Sequence, residues 1–295
     1  MRIFITGAFG FVGKNVMESF KLTYEFNIFD RENLAIESDV VLHLAGKAHD
    51  LKNVSDPSEY YAINTELTKQ VFDAFLKSRA STFIFISSVK ASADQVKGKL
   101  KEDDFPNPMT HYGKSKLLAE EYIQSQSIPL GKRVYILRPC MIHGPGNKGN
   151  LNLLYEVVRR GIPWPLGAFS NLRSFCSIDN LLFVMKELIS RTDIPSGVYQ
   201  VADDEVLSTN ELIQLMAQSV GKKASIWNVP KGFIIGIARL GDWAHLPLNT
   251  ERLSKLTESY VVSNDKITQV MGKKMPLGSR EGILKTLSSF LQSSK

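Results

Sequence analysis

The run Arg2-Ile3-Phe4-Ile5 passes directly into Thr6-Gly7-Ala8-Phe9-Gly10-Phe11-Val12-Gly13. An apolar run of this kind predicts a strand, the spaced glycines a tight turn, and residues 12–22 a helix. Glycine tolerates such a turn and lets backbone N–H groups approach a pyrophosphate closely. The helix that follows points its partly positive N-terminus at that anion. The first βαβ unit of a dinucleotide fold is therefore expected at the extreme N-terminus. G-x-x-G-x-x-G alone is a weak signal, and it needs an independent motif to support it. That second motif is Tyr112-Gly113-Lys114-Ser115-Lys116.

A chain of 295 residues can bury a substantial core, as one large α/β unit or as two unequal domains. With 43% hydrophobic and 22% charged residues it fits neither a disordered nor a fibrous class. The net charge of +6 raises the question of nucleic acid, but the basic residues are scattered and form no arginine-rich arm or finger pattern. A modest positive field equally suits an anionic cofactor or substrate. Cys140 and Cys176 are expected to be buried free thiols, with a reducing cytoplasm as the expected location. No signal peptide is expected, because Arg2 leads straight into a strand. Phe233-Ile234-Ile235-Gly236-Ile237-Ala238 is too short to cross a bilayer and is expected to be a packed helix rather than a membrane contact, with surface attachment left open by Lys231 and Arg239 beside it.

Further along, strands are expected at 25–30, 39–46, 82–86, 133–137 and 198–201. Helices are expected at 58–78, 112–126, 179–190, 209–220 and 282–292, with a polar, lysine-rich excursion at 91–108. Strands alternating with helices imply a parallel, doubly wound sheet. Only eight residues, 31–38, separate Asp30 from Asp39. A βα element that a full unit would carry there is expected to be absent or cut to a single turn. The fold class is α/β: a Rossmann-type doubly wound parallel sheet with a smaller α/β substrate-binding C-terminal domain. The division expected is 1–144 plus 174–203, and 145–173 plus 204–295.

In order along the chain stand Thr6–Gly13, Asp30, His43-Leu44-Ala45-Gly46, Asn64, Ile86-Ser87-Ser88, Tyr112-x-x-x-Lys116, Leu137-Arg138-Pro139 with Gly144-Pro145-Gly146, and Arg173-Ser174-Phe175 before Asp179-Asn180. Together these motifs resemble the extended short-chain dehydrogenases/reductases of the NAD-dependent epimerase/dehydratase family. The resemblance covers nearly the first two-thirds of the chain and is looser beyond. It implies that Ser88, rather than Ser87, is the catalytic hydroxyl, with Tyr112 and Lys116 as its partners. It also implies a cofactor site from Gly7, Phe9, Gly10, Phe11, Val12, Gly13, Leu44, Ala45, Gly46, Asn64 and Pro139, with Lys116 holding the nicotinamide ribose. Arg173 resembles the arginine that clamps a substrate diphosphate, and Arg252 is a second candidate. Lys90 and Asn150 are further candidates for lining the substrate.

The residues support this chemistry. Tyr112 and Lys116 lie four apart and share a helix face. An ammonium near a phenol favours the phenolate, so a lowered Tyr112 pKa is expected. A tyrosine so tuned can take a proton from a sugar hydroxyl or return one to a ketone. Asp30, about twenty residues beyond the first glycines, can accept bonds from the adenosine ribose and repel a 2′-phosphate. This favours NAD, whereas Arg31 keeps NADP open. Without the missing βα element a looser adenine grip is expected, unless Asp39 or Lys47 substitutes. No histidine sits in a metal-ligand pattern, and no metal is expected.

The resemblance implies hydride transfer at C4 of a UDP-hexose or UDP-N-acetylhexosamine. Val89-Lys90 stand where the family's dehydratases carry Asp-Glu, which disfavours 4,6-dehydration. A UDP-sugar 4-epimerase is the leading expectation, and a 4-keto reductase forming a UDP-N-acetyl-deoxyhexosamine for surface polysaccharide is the alternative. A non-catalytic dinucleotide sensor is the reading from another class. A homodimer through the helix near 61–78 and the Tyr112 helix is also implied, with neither nucleic acid nor a membrane span.

Overall fold

The structure, a computed structural model, describes residues 1–30, 34–47, 56–147, 149–244 and 249–293. It opens with β1 (Arg2–Thr6), α1 (Phe11–Phe20), β2 (Glu25–Ile28) and β3 (Val40–His43). Then come α2 (Pro57–Tyr60), a π-helical turn (Tyr61–Glu66) and α3 (Leu67–Lys77). β4 (Thr82–Ile86) leads through a 3₁₀ turn (Val89–Ala91) to β5 (Lys99–Leu100) and α4 (His111–Ser125). β6 (Arg133–Pro139), β7 (Met141–His143), α5 (Asn150–Arg159), β8 (Leu172–Arg173), β9 (Phe175–Ser177), α6 (Ile178–Ser190) and β10 (Gly197–Val201) follow. The chain continues with β11 (Leu207–Ser208), α7 (Thr209–Ser219), α8 (Lys231–Ala244), α9 (Thr250–Thr257), β12 (Val261–Val262), α10 (Asp265–Met271) and α11 (Ser279–Ser293).

Six strands form one sheet in the order β10-β6-β4-β3-β1-β2, and every pair is parallel. All residues of β3 and β4 are buried, as both faces of a parallel sheet require. Alternate side chains feed two layers. Ile3, Ile5, Leu42, Ile84 and Leu137 pack with Val16 of α1 and Leu181 and Met185 of α6. Phe4, Val41, Phe83, Phe85 and Ile136 pack with Val71, Phe72 and Phe75 of α3 and Ala119 and Ile123 of α4. This is the doubly wound Rossmann-type arrangement expected.

A separate cluster joins α5, α7, α8 and α11 through Leu151, Tyr155, Leu212, Met216, Ile234, Ala238, Ile283 and Leu287. Val262, Ile267, Met271 and Met275 instead join the cluster on the sheet. Among the described residues no strand lies between β2 and β3, so β2 forms a sheet edge. Asp39 precedes β3 and accepts the Arg2 backbone N–H at 2.8 Å. It is thus at the strand's N-terminal end, opposite the end where ligands of such sheets bind.

The expected continuous helix at 58–78 differs in one respect. Its middle turn is π-helical, and this turn carries the buried Asn64 and Thr65 toward α4. A one-residue excess in a turn is a frequent device at functional sites. Among the described residues no helix is long and apolar enough to cross a membrane.

Gly7 lies at φ +70°, and a Cβ there would sit 2.7 Å from the Ala45 backbone nitrogen. Both the dihedral and the space exclude a side chain. Gly7→Ala is expected to cost about 1–3 kcal/mol, read from urea unfolding. A loss below a few tenths would show that the β1 and β3 ends can separate freely.

Candidate active site

The glycine turn bends onto α1 through a hydrogen bond from Gly10 N–H to the Gly7 carbonyl, 3.1 Å long. A Cβ on Gly13 would overlap that same carbonyl oxygen, which is why the helix can seat so close to the turn. Gly10 is the N-cap and offers no side-chain acceptor, and no acidic residue stands in the first turn of α1. The free N–H groups of that turn therefore face whatever anion enters the cleft. Phe11 and Val12 are half-buried and Phe9 is exposed at the turn. Leu44, Ala45 and Gly46 run on from β3 alongside, and Pro139 ends β6. Asp30 follows β2 and is exposed, while Arg31 lies outside the described residues. This glycine cradle fits a dinucleotide pyrophosphate.

Thr6, His43 and Thr68 brace the cradle from below. The Thr6 hydroxyl accepts the Ala45 N–H at 3.0 Å, so it donates to His43 Nδ1, 2.7 Å away. Thr68 donates to the Asn64 carbonyl and accepts from His43 Nε2 at 2.8 Å. The imidazole is thereby fixed as the Nε2–H tautomer. Burial and the nearby Lys116 charge push its pKa down to about 3, so it is a neutral structural group.

Three of the expected side chains meet at the C-terminal end of β4. Ser88 caps the 3₁₀ turn by accepting the Lys90 N–H at 3.2 Å, and its side chain is hydrogen-bonded to Tyr112. Gly113 lets α4 approach this turn, since a Cβ there would overlap the Lys90 carbonyl. One turn further along α4, Lys116 is buried. Its ammonium donates to the Ile86 carbonyl at 2.9 Å and lies 4.7 Å from the centre of the Phe85 ring. Asn64 joins this group by donating to Ser115 Oγ at 3.0 Å and accepting the Lys47 N–H at 2.8 Å. Gly46 closes the set, for a Cβ there would lie 2.9 Å from Lys116 Nζ and 3.1 Å from Asn64 Oδ1.

The expectation of a lowered Tyr112 pKa is overturned. Burial raises it above the ordinary phenol value, and the Ser88 hydrogen bond only partly opposes this. Burial is the leading cause, with Tyr60 adding to it, while the Lys116 ammonium donates to the Ile86 carbonyl. Lys116 itself is pushed down to about 8 by burial, with Glu120 acting in the opposite direction.

Glu120 was not singled out in the sequence, although its i+4 spacing from Lys116 was a readable signal. It is fully buried, accepts from Ser87 Oγ, and forms a forked pair with Arg138. Ser87 thus braces the strand end while its neighbour Ser88 faces Tyr112.

On the far wall, Arg173 bonds the Lys255 carbonyl of α9, and its Nε is buried without a protein partner. Lys90 bonds the Asp94 carbonyl at 2.9 Å and lies 4.3 Å from the centre of the Tyr260 ring. Burial lowers the pKa of Lys90, and Arg173 adds to that lowering, so two partly desolvated cations share this wall. Tyr260 locks the wall in place by donating to the Ala93 carbonyl at 2.6 Å; no local sequence pattern marks it. Arg252 is exposed on α9, and Asn150 opens α5. Lys47, proposed as an adenine contact, is ion-paired with Glu59.

Residues 3–202, more than half of the chain, match the model of the NAD dependent epimerase/dehydratase family. The chain belongs to that family. It is therefore an NAD(P)-dependent enzyme, and its relatives include epimerases and reductases of activated sugars. It is 28% identical to UDP-glucose 4-epimerase of Vibrio cholerae, over 98% of this chain and 95% of that one. It is also 28% identical to N-acetyl-alpha-D-glucosaminyl-diphospho-ditrans,octacis-undecaprenol 4-epimerase of Escherichia coli O157:H7, over 90% and 84%. The solved structure of MoeE5 in complex with UDP-glucose and NAD shares the fold, with a TM-score of 0.77, 19% identity and 100% of both chains covered.

Removing Glu120 alone strands Arg138 as a buried charge, and Glu120→Ala is expected to cost about 3–5 kcal/mol. Glu120→Leu with Arg138→Met should recover most of that loss in urea unfolding. Additive losses would mean that the pair is not coupled. Lys116 supplies a pH test. Its folded pKa of about 8 lies below the ordinary 10.5, so its burial penalty is full below pH 8 and is relieved as pH rises toward 10.5. Over that window wild type should gain stability relative to Lys116→Met. A gap independent of pH would contradict the buried charge.

Proposed function

We propose that the chain is a UDP-sugar 4-epimerase acting on a UDP-hexose or UDP-N-acetylhexosamine. The observation that carries this reading is the meeting of Ser88, Tyr112 and Lys116 beside the glycine cradle. The similarity to a 4-epimerase over nearly the whole length supports it. Tyr112 takes the proton of the C4 hydroxyl as the phenolate and returns it to the ketone oxygen as the phenol after the sugar turns over; burial opposes the phenolate, so positive charge in the loaded site has to offset it. Ser88 hydrogen-bonds the same oxygen and keeps it within reach. Lys116 holds the nicotinamide ribose and supplies positive charge one helical turn from the phenol. Bound NAD(P) supplies the acceptor and donor of the C4 hydride. Gly7, Gly10, Gly13, Phe9, Phe11, Val12, Leu44, Ala45, Gly46, Asn64 and Pro139 form its cradle, with Asp30 for the adenosine ribose.

Arg173 and Lys90 hold the substrate diphosphate, which matches their shared charge and the open Arg173 Nε. Arg252 and Asn150 line the remainder. The Escherichia coli relative carries its sugar on a lipid diphosphate, so the diphosphate, rather than the uridine, is the group this wall reads. A homodimer through the π-helical segment, α3 and α4 is part of the same proposal. The exposed Leu118 on α4 suits such a contact.

The assay follows UDP-glucose and UDP-N-acetylglucosamine by nuclear magnetic resonance while absorbance tracks the cofactor. Interconversion of C4 epimers without net cofactor consumption is expected. Stoichiometric oxidation of NADH or NADPH on a 4-keto sugar would overturn the epimerase reading in favour of a reductase. Tyr112→Phe should lower turnover about a hundredfold or more. An unchanged rate would remove Tyr112 from the chemistry.

A further inference from the structure

Helix α8 (Lys231–Ala244) carries two apolar stripes where a surface helix needs one. The inner stripe, Ile234, Ala238 and Gly241, is buried, with Ile234 and Ala238 in the cluster that joins α5, α7, α8 and α11. The outer stripe is Phe233, Ile237, Leu240 and Trp243, spaced i, i+4, i+7 and i+10. At about 100° per residue these four fall on one continuous side of the helix. Phe233 is 64% exposed, Leu240 63% and Trp243 84%. Trp227, also exposed, stands on the segment leading into the helix. Large apolar side chains gathered in this way mark a contact surface.

The charge of this segment bears on the contact. From Gly221 to Ala244 the chain holds Lys222, Lys223, Lys231 and Arg239 against the single acid Asp242. Lys222 bonds the Arg159 carbonyl and Lys231 lies over the Phe169 ring, so the exposed Lys223 and Arg239 are the cations offered to a partner. An apolar helix face bearing a terminal tryptophan with basic flanks suits the interface of an anionic bilayer. The helix is too short to span such a bilayer. Its position links it to the site, for α8 packs on α9, and the Lys255 carbonyl of α9 holds Arg173.

We propose that the outer face of α8 seats the protein on the surface of an anionic lipid bilayer, with the diphosphate-binding wall next to that surface. This rests on the proposed function in one respect only: a sugar diphosphate carried on a membrane lipid would then reach Arg173 and Lys90 without leaving the membrane.

The test is co-sedimentation of the full chain with vesicles of phosphatidylethanolamine and phosphatidylglycerol at low and raised salt. Wild type should pellet with these vesicles, and less so at raised salt. The combined variant Phe233→Ser, Leu240→Ser, Trp243→Ser should lose about tenfold or more of that binding. Its circular dichroism and cofactor binding should be unchanged, because the three side chains lie outside the core. The milder variant Lys223→Glu, Arg239→Glu leaves the stripe intact and should also weaken binding. Wild type remaining in the supernatant, or the serine variant pelleting equally well, would overturn the proposal. So would a wild type that ignores vesicles while the serine variant loses mass in light scattering, since α8 would then be a subunit contact. Vesicle binding needs no turnover, so a chain that pellets but leaves UDP-sugars unchanged would refute the proposed function and not this inference.

Discussion

An amine held away from water organises the centre of this molecule. Lys116 sits between the ends of β3 and β4 with a carbonyl and an aromatic face as its nearest partners. Its neighbours answer to that charge. His43 stays neutral partly because Lys116 is near. A Cβ at Gly46 would push the ammonium and the Asn64 side chain aside, since they lie 2.9 and 3.1 Å from its position. Glu120, one turn along the helix, favours the charged form from behind. It carries its own counter-ion in Arg138 and so does not become a second isolated charge.

The backbone makes this arrangement possible. Close approach at Gly7 and Gly13 seats the turn after β1 against the segment after β3 and against α1, and Gly113 seats α4 against the 3₁₀ turn. The π-helical turn then rotates Asn64 inward, where it ties the segment after β3 to α4. The result is a hydrogen-bonded phenol and hydroxyl at the C-terminal end of β4, with two partly desolvated cations, Lys90 and Arg173, near each other beyond them.

Much of this was legible from local pattern. The glycine turn, the apolar strands and the Tyr112–Lys116 spacing identify the fold and the side chains that converge, because each is written in contiguous residues. The shortened connection before Asp39 was also readable and is the reason β2 is an edge. Three features were not. The direction of the Tyr112 shift is set by the burial of the phenol, which helical spacing does not report. The π-helical turn depends on bonds to residue 115, some fifty positions away. Tyr260 reaches Ala93 across 167 positions, a contact made where the segment before β12 packs against the cluster on the sheet.

Among the described residues no strand pairs with the outer side of β2, and this has a consequence away from the site. An edge strand exposes a row of backbone groups that a second chain can pair with. Here that strand is four residues long and only partly covered, and it begins at Glu25 within reach of Arg2. Brevity and polarity make it a poor template, so the shortened sheet is protected against open-ended growth into fibrils or aggregates.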